Sequence, residues 1–335
     1  MKKVSFVCTS FRRSYCVRRI IAQFNAQTYQ NKELIIFNTD TEYPMSLAAP
    51  QSNIIVVNNS IDYITGLPYK NRGEICRDAV THATGDYFML ADDDDIYLPY
   101  HLQQAVDGIE TNGKDAWKPQ KSFYANQFEI KLVQNTLEAS VIVKMERIRE
   151  IGFRSDMTGY EGLSWYTKLR DERQLDEHNT EYVPSYCFNW SDPADVAGHK
   201  QSGDIDNPDN FENHKQASGD YAKEPLNPID KEELQKVYTP YYEFIRNNVN
   251  LFNEQYVKKY VPMNKVQEIL LSYMAFFNPT EEQKEVAEKR LEICHSCDKW
   301  VQGVFDHCSV CGCSTKAKVF SPKGANACPE SKWIE

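Results

Sequence analysis

Short apolar runs alternate with stretches of helical period through the first 110 or so residues. Val4-Ser5-Phe6-Val7-Cys8, Leu34-Ile35-Ile36-Phe37, Ile54-Ile55-Val56-Val57 and Phe88-Met89-Leu90 are nearly continuous apolar runs, which predicts buried strands. Between them Val17, Ile20, Ile21 and Phe24 recur at i, i+3, i+4 and i+7, one face of a helix. Ile75, Ala79, Val80 and Ala83 mark a second helix ended by Gly85. Leu98, Leu102, Ala105 and Ile109 mark a third, with Pro99 near its first turn. This alternation predicts an α/β Rossmann-like architecture, a mostly parallel sheet with helices on both faces. Ligands of such a sheet bind beyond the carboxyl ends of its strands. The residues found there are Thr9-Ser10-Phe11-Arg12, Asn38-Thr39-Asp40, and four consecutive aspartates, Asp92 to Asp95.

The pattern then loosens. Ser140 to Val143 reads as a strand, Arg147 to Ile151 as a short helix and Leu163 to Arg173 as another. Residues 201–230 are rich in Asp, Asn, Gly, Pro and Ser and read as a long loop. Residues 231–293 turn helical, with breaks expected at Pro240, Pro262 and Pro279, and 294–335 are cysteine-rich. The expected division is therefore 1–200, 201–230, 231–293 and 294–335.

Charge narrows the function classes. The net charge of −10 argues against a nonspecific nucleic-acid binder, although Lys2, Lys3, Arg12, Arg13, Arg18 and Arg19 crowd the N-terminus. The run Val4 to Cys8 is too short for a signal peptide, and no stretch reaches membrane-spanning length, so the expectation is a soluble cytoplasmic protein.

Four adjacent carboxylates repel one another unless a positive group offsets them. At the end of a buried strand they suit Mg²⁺ or Mn²⁺ with a phosphate-bearing substrate. Asp92 and Asp94 form the expected pair, with Asp95 as a further ligand or helix cap and Asp93 on the donor side. Arg72 and Arg77 are candidates to neutralise a diphosphate or to pair with acidic neighbours. A dehydrogenase or a nucleotidyltransferase would need a glycine-rich turn after the first strand, and Cys8 to Ser14 contains no glycine.

Val4 to Arg13, Gln27-Thr28-Tyr29, Lys32 to Ile36, Arg72 to Ala79, Ala83 to Tyr87 and Asp92 to Asp95 with Pro99 form an ordered set of blocks. Together they resemble the family 2 glycosyltransferases of the GT-A fold over residues 1–200. The resemblance implies a nucleotide-diphosphate sugar donor, a Mg²⁺ or Mn²⁺ ion on the Asp92–Asp94 element, and inversion at the anomeric carbon. It sets Thr9, Ser10, Phe11 and Arg12 against the nucleotide and Asn38 to Asp40 toward the base, where the family's usual Asp-Asp-Gly-Ser is replaced by Asn38-Thr39-Asp40-Thr41. Gly159-Tyr160-Glu161-Gly162 resembles the stretch carrying the family's catalytic Glu-Asp pair, with glycine in the second place. Glu161 is then the expected general base, with Asp156 in reserve. His199 falls where related enzymes carry a histidine near the metal, and Tyr186 and Trp190 could stack on sugar or base.

Cys294-x-x-Cys297 and Cys308-x-x-Cys311, followed by Cys313 and Cys328, predict a structural Zn²⁺ site in a zinc-ribbon-like module. The preferred ligands are Cys294, Cys297, Cys308 and Cys311, with Cys313 or Cys328 as replacements, or six thiols holding two ions. Cys328-Pro329 through Lys332-Trp333 also resembles cysteine-rich segments of tailed-phage proteins, which would put the chain in the host cytoplasm. If that likeness guides function, the acceptor is a 5-hydroxymethylpyrimidine in DNA. The alternatives are hydroxyls of surface polysaccharide or protein, or a non-enzymatic zinc-ribbon adaptor for nucleic acid.

Overall fold

A computed structural model describes residues 1–11, 13–125, 129–155, 162–189, 225–263, 265–303, 306–323 and 327–333. Two compact units emerge, Met1–Val261 and Pro262–Glu335. The division cuts the expected helical region, because helices Lys231–Asn247 and Glu254–Tyr260 belong to the first unit.

In Met1–Val261 the predicted apolar runs become β1 (Val4–Ser10), β2 (Lys32–Asn38), β3 (Ile54–Asn58) and β4 (Tyr87–Ala91). They alternate with helices α1 (Ser14–Ala26) and α2 (Arg72–Val80). Next come β5 (Ile96–Tyr97), α3 (His101–Asn112), β6 (Ala116–Trp117), β7 (Lys121–Ala125), β8 (Ile130–Gln134) and β9 (Ile142–Lys144). Helices α4 (Met145–Ile151) and α5 (Leu163–Asp171), then β10 (Leu175–Asp176) and β11 (Tyr186–Asn189), complete the list up to residue 189.

The main sheet has the order β10-β6-β9-β4-β1-β2-β3. β1, β2, β3 and β4 pair in parallel, as expected. β9 enters antiparallel between β4 and β6, so the sheet is mixed rather than of one direction. A second sheet, β5-β11-β7-β8, was not expected; its strands are short, and β8 is largely exposed.

Helices cover both faces of the main sheet, because strand side chains alternate between them. On one face Phe6, Ile36 and Met89 pack with Ile20 and Phe24 of α1 and Leu102 and Ile109 of α3. On the other, Val7, Ile35 and Leu90 pack with Cys76 and Ala79 of α2 and Trp165 and Leu169 of α5. The second sheet packs Phe123 and Cys187 against Tyr238, Tyr241 and Ile245 of helix Lys231–Asn247. That helix runs through Pro240, where a break was expected. The apolar contacts of Tyr238, Tyr241, Tyr242 and Ile245 on both sides of it outweigh the ~3 kcal/mol an interior proline costs.

The unit Pro262–Glu335 holds helices Lys265–Phe277, Glu281–His295 and Thr315–Lys318 and a small hairpin, Trp300–Val301 with His307–Cys308. Helix Glu281–His295 starts on a capping box, Thr280 with Gln283. No described helix is long and apolar enough to cross a membrane.

Candidate active site

The parallel register brings the predicted loops to one edge. Cys8 lies opposite Ala91, and Ser10 opposite Asn38, so the chain leaves β1, β2 and β4 side by side. Asp92 begins the turn immediately after Ala91.

That turn is held from behind by α1. Arg19 Nη2 donates to the Asp94 carbonyl at 2.8 Å. One helical turn on, Gln23 Nε2 donates to the Asp95 carbonyl at 3.1 Å, and its Oε1 accepts the Tyr97 N–H at 2.6 Å. Asn189 Nδ2 donates to the Asp94 carbonyl at 3.1 Å, and the Tyr97 hydroxyl accepts the Asp92 N–H at 3.0 Å. The backbone of the acidic turn is thus satisfied by buried side chains, as a buried polar segment requires.

The four carboxylates divide into three environments. Asp92 reaches solvent and pairs with Arg72, whose Nε donates to Thr9 Oγ1 at 3.3 Å. Asp93 and Asp94 are buried and share Arg13: Nη1 lies 2.6 Å from Asp93 and Nη2 3.0 Å from Asp94. Ser10 Oγ adds a bond to Asp93 at 2.7 Å. Asp95 is buried, accepting the Tyr186 hydroxyl and the Asn189 N–H. Burial, followed by the charges of Asp94 and Asp92, pushes its carboxyl well above the ordinary range against those two donors. Burial likewise raises the Cys8 thiol, with Asp93 adding to it.

The other expected residues are engaged within the protein or lie beyond the described residues. Asp95 anchors the acidic turn to β11. Tyr186 belongs to that anchor and has no face free to stack. Arg77 faces away from the cluster and pairs with Asp62 and Asp78, closing the turn in which Asp62 accepts the Ile64 and Thr65 N–H groups. Asn38 and Asp40 shape their own loop: Asn38 Nδ2 donates to the Asp40 and Tyr43 carbonyls, and Asp40 accepts the Glu42 N–H. Phe11 is half-buried at the end of β1. Arg12, Asp156, Glu161, Trp190 and His199 lie outside the described residues. The described residues flanking the segment that holds Asp156 and Glu161 are tied down: Asn71 Nδ2 donates to the Ser155 carbonyl at 2.8 Å beside Arg72, and Gly162 N donates to Glu138 at 3.3 Å. Gly73, in the first turn of α2, is needed here, since a Cβ would sit 1.4 Å from the Arg154 carbonyl oxygen.

Sequence reasoning missed Arg13, Arg19, Gln23 and Asn189 as parts of the cluster. For Arg19 and Gln23 the signal available was their i, i+4 spacing beside Ile20 and Phe24 of α1; Arg13 and Asn189 carry no such signal. Among the described residues no three His, Cys, Asp or Glu side chains stand gathered as a finished metal site, here or in the cysteine-rich unit.

Residues 5–160 match the family model described as glycosyl transferase family 2. The uncharacterized glycosyltransferase YwdF of Bacillus subtilis (strain 168) is 32% identical over 113 residues, covering 32% of this chain. The chain spans 39% of that relative's length. Among solved structures, S. aureus TarS 1-349 in complex with UDP-GlcNAc has a TM-score of 0.46 at 13% identity, covering 88% of this chain and 86% of that one. The mannosyltransferase PcManGT from Pyrobaculum calidifontis, in complex with GDP-Man and Mn²⁺, has a TM-score of 0.41 at 12% identity, covering 85% and 82%.

Proposed function

We infer that this chain is a glycosyltransferase, its family 2 domain over residues 5–160 folded as a GT-A-like α/β unit, and that it moves a sugar from a nucleotide-diphosphate donor to an acceptor hydroxyl. One observation carries the reading. Thr9, Ser10, Arg72 and the acidic turn Asp92–Asp94 meet at the carboxyl ends of adjacent parallel strands, inside the matched residues.

In this reading Thr9, Ser10, Phe11 and Arg12 border the nucleotide, and the loop shaped by Asn38 and Asp40 borders its base. Asp92 and Asp94 are hard oxygen donors of the kind Mg²⁺ and Mn²⁺ take, and Asp92 opens to solvent. A divalent ion bound there would offset charge on the departing nucleoside diphosphate. Arg13 and Arg72 hold these carboxylates in the protein alone, so they are the groups that must give way. Their guanidinium forks also suit a diphosphate. Inversion calls for a carboxylate to take the acceptor proton, and Glu161, with Asp156 in reserve, is the candidate. His199 is a candidate near the metal. Residues 294–335 are read as a zinc-binding module.

For the acceptor, a 5-hydroxymethylpyrimidine in DNA rests on the phage-like tail alone, and the net charge of −10 weighs against it. Hydroxyls of polysaccharide or protein are the alternative. The test is donor binding by thermal shift across nucleotide sugars, with and without Mn²⁺, followed by donor hydrolysis. A true donor raises the Tm and is hydrolysed, and Asp94→Ala loses both. A chain that is inert toward every donor yet binds nucleic acid through its tail would instead be the adaptor.

A further inference from the structure

The unit Pro262–Glu335 carries six cysteines, none of them in a disulfide. Four of the six, Cys294, Cys297, Cys308 and Cys328, line one cavity of about 30 Å³, together with Ile293, Trp333, Lys318 and Lys332. A cavity of this size has room for a single water or ion. The four thiols arrive from separate pieces of chain: the last turn of helix Glu281–His295, the turn after it, the second strand of the hairpin, and the segment before Pro329.

Two tight backbone turns present them. Cys297 N donates to the Cys294 carbonyl at 3.0 Å, and Trp300 N to the Cys297 carbonyl at 3.0 Å. On the hairpin side Gly312 N donates to the Cys308 carbonyl at 2.7 Å. Gly312 has φ +64°, a conformation that suits glycine. Lys332 also lines the cavity, its Nζ 3.2 Å from Cys297 Sγ, placed to offset thiolate charge.

The remaining two cysteines do not line the cavity. Cys311 Sγ receives the Lys318 ammonium at 2.8 Å, and Cys313 Sγ points to the Cys311 carbonyl at 3.6 Å. The paired spacing therefore does not identify the four-thiol set: Cys311 stands behind Lys318, which lines the cavity in its place, and Cys328 fills the fourth wall.

We propose that this cavity is a structural Zn²⁺ site with Cys294, Cys297, Cys308 and Cys328 as its four ligands, and that Cys311 and Cys313 are not ligands. The proposal rests on the reading of this unit as zinc-binding. Four soft thiolates in number and kind suit tetrahedral Zn²⁺. Since no three ligating side chains are yet gathered at metal-holding distance among the described residues, the ion draws the walls inward as it binds. Binding releases the protons of those thiols still protonated. Through Cys328 the ion would fasten the segment ending in Trp333 to helix Glu281–His295.

The experiment uses the full chain purified with zinc, its metal content measured by mass spectrometry. Thiols are mapped by alkylation with iodoacetamide before and after chelation. The expected result is one zinc per chain. Cys311 and Cys313 alkylate while zinc is bound, and the other four only after chelation. Cys311→Ser and Cys313→Ser keep the zinc, and Cys328→Ser loses it. The alkylation map is made on the unaltered protein, so it holds even if Cys328→Ser fails to fold. Zinc retained by Cys328→Ser but lost by Cys311→Ser would overturn the ligand set, as would protection of Cys311 or two zincs per chain. A chain that takes up no zinc at all would instead overturn the zinc reading of the unit.

Discussion

Arg13→Gln tests the electrostatics of the acidic turn most directly. Arg13 bridges Asp93 at 2.6 Å and Asp94 at 3.0 Å, and those side chains are only 4% and 2% exposed. Glutamine keeps a polar side chain but removes the charge, leaving two neighbouring buried carboxylates without the cation they share. Removing one partner of a buried pair costs about 3–5 kcal/mol. Ser10 still donates to Asp93, and Arg13 is itself 16% exposed, so the lower end, about 3 kcal/mol, is expected. The assay is urea unfolding of the full chain in EDTA at neutral pH, followed by tryptophan fluorescence, since Trp117 and Trp165 are fully buried in the first unit. Lys131→Ala, which removes an exposed ion pair with Glu129, is the control and should change stability by less than about 1 kcal/mol. Repeating the series in Mn²⁺ should return part of the lost stability, because the ion supplies the missing charge. An Arg13→Gln protein as stable as the control variant in EDTA would refute the reasoning.

The other predictions concern separate parts of the molecule. Arg72→Ala removes the pair with the solvent-facing Asp92; donor affinity should fall roughly tenfold, about 1.4 kcal/mol, by calorimetry, with little change in unfolding midpoint. Gly73→Ala drives a Cβ into the Arg154 carbonyl, so it should destabilise by about 1–3 kcal/mol or more in the same unfolding assay. Burial lowers the His101 pKa to about 3. The unfolded chain takes up that proton below about pH 6.5, so stability is full above this and is lost as pH falls toward 3. Between pH 7 and 5 this amounts to about 2 kcal/mol, and His101→Gln should abolish that part of the pH dependence. For Glu33 burial alone would raise the carboxyl, but Lys3, Ser5 and Thr84 hold it below its ordinary value. The stability lost in Glu33→Gln should therefore be present above about pH 4.3 and vanish as pH falls through the lower folded value, read from paired urea titrations.

The first four strands and the helices between them were legible because parallel strands are written as continuous apolar runs, although β3, expected to be buried, lies at the sheet edge with Ile55 exposed. The acidic turn was legible as a location for the same reason: it follows β4 at the ligand edge. What its carboxylates do was not legible. Asp92, Asp93, Asp94 and Asp95 are identical in sequence, and only tertiary contacts with Arg72, Arg13 and Tyr186 separate them. Arg77 was open between a diphosphate and acidic neighbours; five residues after Arg72 it lies roughly 140° further round α2, and there Asp62 and Asp78 take it. Pro240 misled because a local rule lost to packing on both sides. In the cysteine-rich unit, spacing pointed to Cys311, while the cavity is walled by Cys328, which lies far along the chain.

The grip of Arg19 and Gln23 on the carbonyls of Asp94 and Asp95 has a mechanical meaning. Two side chains a single coil apart clamp the acidic bend at two consecutive peptide units, so the bend is fastened to α1 as a rung is to a rail. A ligand arriving at this edge meets peptide planes already aimed and has only side chains left to rearrange. The entropy of shaping the loop was spent when the chain folded, which leaves more of the binding energy for the encounter itself.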